Sequence, residues 1–324
     1  MMKLQKPEFV HMNGKLRPWD EATLHVGCEA AIRGLNVFEG VKSYRQPDGS
    51  LAIVMLRRHY ERLQRSSRLL YIPFEHSYED VVHGLRELAE ALVQPDKEMW
   101  FRITLFVTQG HWGQDTAAEM VITGYQIDTA LPQPINLGIS TWRRSPDVSL
   151  PARIKTGANY QVARLARIEG QALGCEDMVL LNQEGRVAEA TGSCILMVRE
   201  GKVYTPPATE GALESITLHA IEALACMLGI PFERRPIDRT ELVIADELAI
   251  CGTLAEVVPV KMIEGRPLPA KAPLLKALQT SFFRAVRGIE PHPEIEMTNV
   301  TSARSGAKKN GRRPKGSKSS IGKR

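Results

Sequence analysis

Runs of strand length dominate this chain, and turn residues close most of them. The run FVHMNGKLRPW, from Phe9 to Trp19, reads as a strand, an Asn-Gly turn and a second strand, the pattern of a tight hairpin. NVFEGVKSYR and LAIVML are two more runs, joined by a turn at Pro47-Asp48-Gly49. Residues 100 to 109 and 119 to 127 alternate like paired strands, with GHWGQDTAA as the loop between them. DMVLLN, RVAEA, SCILMVRE, KVYTP, ELAICG and VVPVKMI follow at short intervals. Helical spacing appears over 57 to 70, 78 to 92, about 161 to 173, 215 to 228 and 273 to 286. The class is α+β.

At 324 residues, two domains are expected. The Pro-punctuated stretch TALPQPI supplies the boundary. We place an N-terminal α/β domain at 1–129, a connector at 130–140 and a C-terminal domain at 141–297. Residues 298–324 are too poor in apolar side chains to order themselves and read as a disordered basic tail.

The net charge of +5 belongs to that tail, which carries nine Lys and Arg and no acid; the rest of the chain stands at −4. A mildly acidic body does not suggest a nucleic-acid enzyme, although the tail could bind polyanions weakly. Five scattered cysteines contain no CxxC pair, so neither a disulfide framework nor a metal site is expected. With no signal-like N-terminus and no apolar run of 18 residues, the expected location is cytoplasmic, without a membrane partner.

Four places carry chemistry. Lys155, in Ile154-Lys155-Thr156-Gly157-Ala158-Asn159-Tyr160, follows a loop and precedes a helix. Glu189 ends a strand-like run among small residues, where a ligand can come close. Thr205-Pro206-Pro207 leads through Leu213-Glu214-Ser215-Ile216-Thr217 into a helix, whose first N–H groups suit a phosphate. Gly252-Thr253-Leu254-Ala255-Glu256 is a turn with a hydroxyl. A lysine, an acid, phosphate donors and an enclosing pocket are the parts pyridoxal 5'-phosphate needs from a protein. Cys251, beside this turn, reads as small packing.

The ordered set closely resembles the class IV, fold type IV, aminotransferases, and among them the branched-chain amino-acid aminotransferases. The shared runs are K-x-G-x-N-Y at Lys155, E-x-x-x-S at Glu189, T-P-P…L-x-x-I-T at Thr205 to Thr217, and G-T-x-x-E-V-x-P-V at Gly252 to Val260. An N-terminal NGK…VFEG…RLxRS pattern also matches, and the likeness spans about residues 8 to 265. It implies a D-amino-acid aminotransferase-like fold, with a smaller N-terminal domain and a larger one around a β-barrel-like core.

Carried over by position, the resemblance implies Lys155 as the Schiff-base lysine and proton shuttle. It implies Glu189 at the pyridine nitrogen and Tyr160 at the ring oxygen. Arg57 in LRRHYERL is assigned to the phosphate, with adjacent Arg58 as the alternative, together with Ile216, Thr217 and Thr253. Phe38, Gly40, Trp100, Arg102 and Leu254 are assigned to the substrate side, and Arg33 joins them if it faces the pocket.

Three positions depart from the branched-chain pattern. Arg33 stands where a tyrosine is usual, five residues before Phe38. It either faces the pocket, and then calls for a further anionic or polar group on a substrate, or pairs with Glu29 or Glu39. Trp100 replaces the tyrosine of a Tyr-x-Arg strand, and Ser215 replaces a glycine. His111 and Trp112 read equally as a pocket lid or an exposed loop. The resemblance implies transamination between a branched-chain L-amino acid and 2-oxoglutarate, in branched-chain amino-acid biosynthesis, by a homodimer or higher homo-oligomer. A D-amino-acid or (R)-amine transaminase, or an aminodeoxychorismate lyase, is the alternative on the same fold.

Overall fold

The computed structural model describes residues 5–302. Alternation of side chains sorts its strands into two sheets. The first takes β1 (Phe9–Met12), β2 (Lys15–Pro18), β3 (Asn36–Arg45), β4 (Leu51–Val54), β5 (Lys97–His111) and β6 (Gln114–Asp128). The second takes β7 (Ile135–Arg143), β8 (Asp177–Leu181), β9 (Val187–Ala190), β10 (Cys194–Arg199), β11 (Lys202–Thr205), β12 (Phe232–Arg234), β13 (Glu247–Gly252), β14 (Glu256–Ile263) and β15 (Arg266–Pro267). A last strand, β16 (Met297–Asn299), returns to the first sheet, whose order is β16-β4-β3-β5-β6-β1-β2, antiparallel throughout.

The second sheet is mixed, in the order β12-β11-β10-β13-β14-β7-β8-β9, with β15 on β14. β9 ends the order, yet a three-residue turn joins it to β10, closed by the Ala190 N–H on the Ser193 carbonyl at 2.7 Å. The sheet therefore curls toward a barrel. Its interior is apolar, with Leu137 of β7, Val179 of β8, Val187 of β9, Ile195 of β10, Ile250 of β13 and Val258 of β14 among the residues that fill it.

Helices α1 (Glu29–Arg33), α2 (Leu56–Leu69), α3 (Tyr78–Leu92), α4 (Asn159–Ala172), α5 (Ile216–Met227), α6 (Arg239–Val243) and α7 (Pro273–Val286) cover these sheets. Leu56 and Leu63 of α2 and Leu85 and Leu88 of α3 pack with Val41, Phe101 and Ile103 of the first sheet. The start of α3 is fixed by a capping box between Ser77 and Asp80. α5 and α7 lie on the outside of the second sheet, and Tyr44, Val54 and Met55 of the first half join the same core.

Three expectations change. The connector placed at 130–140 ends by residue 134, because Ile135–Ile139 of β7 already pair with β14 and β8. The supposed GHWGQDTAA loop is the tip of one long hairpin, turned by Trp112 and Gly113, both at positive φ (51° and 84°). The ladder runs past the apolar residues because backbone pairing does not need them. Residues 298–301, given above to the tail, also belong to the fold. Thr298 and Asn299 pair with β4, the buried Val300 donates its N–H to the Leu51 carbonyl at 2.8 Å, and the Leu51 N–H donates to Thr301 Oγ1 at 2.8 Å. A three-residue strand is too short to show periodicity. The nine basic residues expected in the tail lie outside the described residues.

A buried charge cluster joins the two halves. Arg287, just past α7, grips Glu98 of β5 through Nε and Nη2 at 2.8 and 2.9 Å and reaches Glu256 at 3.2 Å. Lys42 of β3 is ion-paired with Glu256 and stands 3.6 Å from Glu98. The two cations and two anions balance. A buried charge stripped of its partner typically costs about 3–5 kcal/mol, so the four specify one arrangement of the halves more than they stabilise it.

Candidate active site

The buried face of α2 includes His59, Arg62, Leu63 and Ser66, at helical spacing. Arg57 and Arg58 are on the exposed face, and the Arg57 guanidinium stacks 4.0 Å over the Tyr78 ring. Arg57 is therefore no part of the site. Arg62, five residues on, lines the cavity instead. The motif contains several arginines, and only the helix phase tells which one points inward.

Arg62 is held by Glu39 of the VFEG run. Nε and Nη2 donate to the two carboxylate oxygens at 2.7 and 2.8 Å, and Nη1 donates to the Glu214 carbonyl at 2.6 Å. His59 Nδ1 lies 2.7 Å from the same carboxylate. Burial pushes the Glu39 carboxyl up, but Arg62, with His59 behind it, outweighs burial and holds it at about 2. Burial also pushes His59 below the usual imidazole range, against the pull of Glu39. Three of the five Arg62 N–H groups are used, which leaves two for a ligand.

Lys155 enters the cavity from the segment between β7 and α4. Its Nζ donates to Tyr160 Oη at 2.8 Å and stands 5.2 Å from the centre of the Phe38 ring. Tyr160, on the first turn of α4, packs its ring 5.2 Å from that of Phe38. Glu189 closes the opposite wall, where Oε2 accepts from the Leu213 N–H at 2.9 Å and Oε1 meets Arg144 Nη2 at 3.2 Å. Arg144 was not singled out from the sequence. It also donates to the carbonyls of Gly211 and Asn159, both at 3.2 Å, and so ties three segments together behind the acid. TWRRSP offered no signal to separate it from a surface arginine.

α5 presents its N-terminus here. Ser215 has an ordinary φ of −78° and caps the helix by accepting from the Leu218 N–H at 3.2 Å, so the serine in place of glycine costs nothing in conformation. Ile216 lines the cavity and Thr217 is buried just behind it. The N–H groups of the first turn have no acceptor within the helix. Thr253 lines the same space, Leu254 beside it is exposed, and Cys251 is buried with its thiol pushed up by burial.

The substrate-side assignments divide. Arg102 sits beside Phe38 and Trp100, with its guanidinium 5.2 and 5.0 Å from their ring centres. Trp100 stacks on Tyr125 and presses its indole on Gly40, where a Cβ would stand 3.1 Å from Nε1. Arg33 does not face the cavity. It pairs with Glu29 at 2.7 Å, one helical turn back, and lies 4.5 Å over the Trp112 ring, because α1 turns it outward. His111 and Trp112 are exposed at the hairpin tip.

Comparison with known proteins gives a consistent result. Residues 36–263 match the family model for class IV amino-transferases. A probable branched-chain-amino-acid aminotransferase of Aquifex aeolicus is 33% identical over 298 residues, covering 89% of this chain and 95% of that one. The PLP-form crystal structure of the branched-chain amino acid aminotransferase from Thermobaculum terrenum superposes with a TM-score of 0.83 at 31% identity, covering 91% of this chain and 98% of that one. A T.th. branched-chain amino acid aminotransferase complexed with N-(5'-phosphopyridoxyl)-L-glutamate gives 0.85 at 28% identity, covering 91% and 99%.

The Glu39–Arg62 pair has a pH signature. A carboxyl at 4.5 in the unfolded chain and about 2 in the folded one contributes stability that is complete above about pH 4.5 and is lost as pH falls toward 2. Urea unfolding of wild type and Glu39→Gln should therefore differ most above about pH 5, and the gap should narrow by roughly 3 kcal/mol on acidification. A gap that holds constant down to about pH 3 would contradict the pairing.

Proposed function

The chain belongs to the class IV aminotransferases, and from that premise we propose that it transfers the amino group of a branched-chain L-amino acid to 2-oxoglutarate, using pyridoxal 5'-phosphate. The observation that carries the reading is the convergence of Lys155, Tyr160, Glu189 and Arg62 on one cavity. That donor set fits the cofactor: an amine for its aldehyde, a carboxylate for its ring nitrogen, a phenol for its ring oxygen, and a guanidinium with a helix N-terminus for its phosphate. The names of the relatives support the substrates. One of them is described as a PLP-form and another as a complex with a phosphopyridoxyl-glutamate.

When bound, the cofactor supplies the electron sink and the carrier for the amino group. The chain's own residues do the rest. Lys155 Nζ would take the α-proton of a bound amino acid and return it, as base and then acid. Tyr160 Oη, 2.8 Å away, limits where that nitrogen can point. Glu189, fixed from two sides by Leu213 and Arg144, offers an oriented acceptor to a ring N–H. The remaining Arg62 N–H groups, the first turn of α5 and the Thr253 hydroxyl hold the phosphate. Arg102 has no acidic partner among the described residues and takes a substrate carboxylate, while Phe38 and Trp100 give the apolar wall a branched side chain needs.

A homodimer and a cytoplasmic setting belong to the same proposal. Val26, Ile32 and Trp112, 82%, 60% and 75% exposed around α1 and the hairpin tip, are apolar surface of the kind a partner covers. Among the described residues no helix is long and apolar enough to cross a membrane.

Three measurements test this reading. Loaded enzyme mixed singly with L-Leu, L-Ile, L-Val and L-Glu should lose its visible absorbance, whereas D-Ala and (R)-1-phenylethylamine should leave it unchanged; silence toward all three branched-chain amino acids would reject the substrate. Arg62→Ala should weaken cofactor affinity by about 10- to 100-fold, the range for a charge-assisted contact, with Arg57→Ala within about twofold. Equal losses would return the phosphate to Arg57. Light scattering should give the mass of two chains, and a monomer at micromolar concentration would exclude the dimer.

A further inference from the structure

Lys155 is held by its backbone as well as by its side chain. Its N–H donates to Ser66 Oγ at 3.1 Å, and its carbonyl accepts from the Phe38 N–H at 2.9 Å. Two residues on, the Gly157 N–H donates to Asn36 Oδ1 at 3.2 Å, while the Asn36 amide nitrogen is itself anchored on the Gly34 carbonyl at 2.9 Å. A Cβ on Gly157 would stand 3.1–3.2 Å from the Asn36 side-chain amide, so this close approach suits glycine. Ser66 is fully buried, one turn beyond Arg62 on α2. It is the serine of the RLxRS run, for which the reaction itself has no use.

The segment that bears Lys155 lies between β7 and α4, outside regular secondary structure. No ladder or helix fixes its Cα. Tyr160 holds only the tip of a four-carbon side chain, so the amine can be in place only if the backbone under it is fixed. The three bonds from Ser66, Phe38 and Asn36 do that, and all come from the first half of the chain. Phe38 acts through its main chain and is not open to side-chain substitution, which leaves Ser66 and Asn36 as the testable pair.

We propose that Ser66 and Asn36 are positioning residues for Lys155, which hold its backbone so that Nζ is presented to an incoming aldehyde. The inference rests on the cofactor reading given above. Loss of either bond leaves the lysine in the cavity but no longer aimed, and misplacements near 1 Å are enough to cost a well-aligned reaction dearly.

The test compares two cofactor forms. Pyridoxamine 5'-phosphate has the same ring and phosphate as pyridoxal 5'-phosphate but carries an amine where the aldehyde stands, so Lys155 has nothing to bond to. Equilibrium affinities for both are measured on wild type, Ser66→Ala and Asn36→Ala, with thermal unfolding of each apo-protein alongside. Each variant should bind pyridoxal 5'-phosphate about tenfold more weakly, the order of one lost hydrogen bond. Affinity for pyridoxamine 5'-phosphate should stay within about twofold. Parallel loss of both affinities would show a merely structural role and overturn the inference, as would no change in either. Should Ser66→Ala fail to fold, the half-buried Asn36 carries the same test. A wild type that bound neither compound would reject the cofactor reading itself.

Discussion

The ion pair between Glu39 and Arg62 is the contact around which the site is built. Glu39 has no exposed surface, and a carboxylate there needs a cation with matching geometry; the planar fork of an arginine provides it. Once α2 delivers Arg62 to that place, its phase is set, and the residues one turn to either side, His59 and Ser66, must face the same way. The third Arg62 bond, to the Glu214 carbonyl, brings the start of α5 up to the first sheet. One pair of side chains thus decides which arginine a phosphate would meet and which serine reaches Lys155.

The same logic recurs across the seam between the halves. Lys42, Glu98, Glu256 and Arg287 form a second balanced cluster there, and Arg144 with Glu189 makes a further pair inside the second half. Buried charges contribute little net stability in general, because desolvation offsets their attraction. They do penalise every arrangement in which a partner is missing. Glu256 shows the consequence: it sits at a left-handed φ of 57° directly after the Thr253–Ala255 turn, with its carboxylate held by Lys42 and Arg287. The turn that carries a proposed phosphate contact is thereby referred back to the first sheet.

How much of this could be read in advance depended on the kind of signal. The hairpin at residues 9–18, the runs that became β3, β4, β8 to β11, β13 and β14, and α5 and α7 were legible because their apolar periods are long or their turns carry Asn-Gly or Asp-Gly. β16 was not, since three residues hold no period. Nor was the length of the β5–β6 hairpin, because backbone pairing carried it beyond its apolar core. Arg57, Arg33 and Arg144 share one difficulty. An arginine reads alike in a linear chain whether it lies on a ring at the surface, pairs one turn back, or is buried against an acid.

The sequence by itself determined the chemistry. A lysine, an acid, a phosphate-binding helix start and a hydroxyl turn, in one order and with characteristic neighbours, identify the family and with it the cofactor. Those are local patterns, carried by residue types next to one another, and folding does not alter them. The tertiary structure decided which groups meet. Arg62 rather than Arg57, Arg33 turned to Glu29, and Ser66 under the backbone of Lys155 all follow from helix phase and from contacts between segments far apart in the chain. The first two are settled within the first half, by helix phase and by the Glu39 carboxylate, whereas the Ser66–Lys155 contact exists only once the two halves have packed.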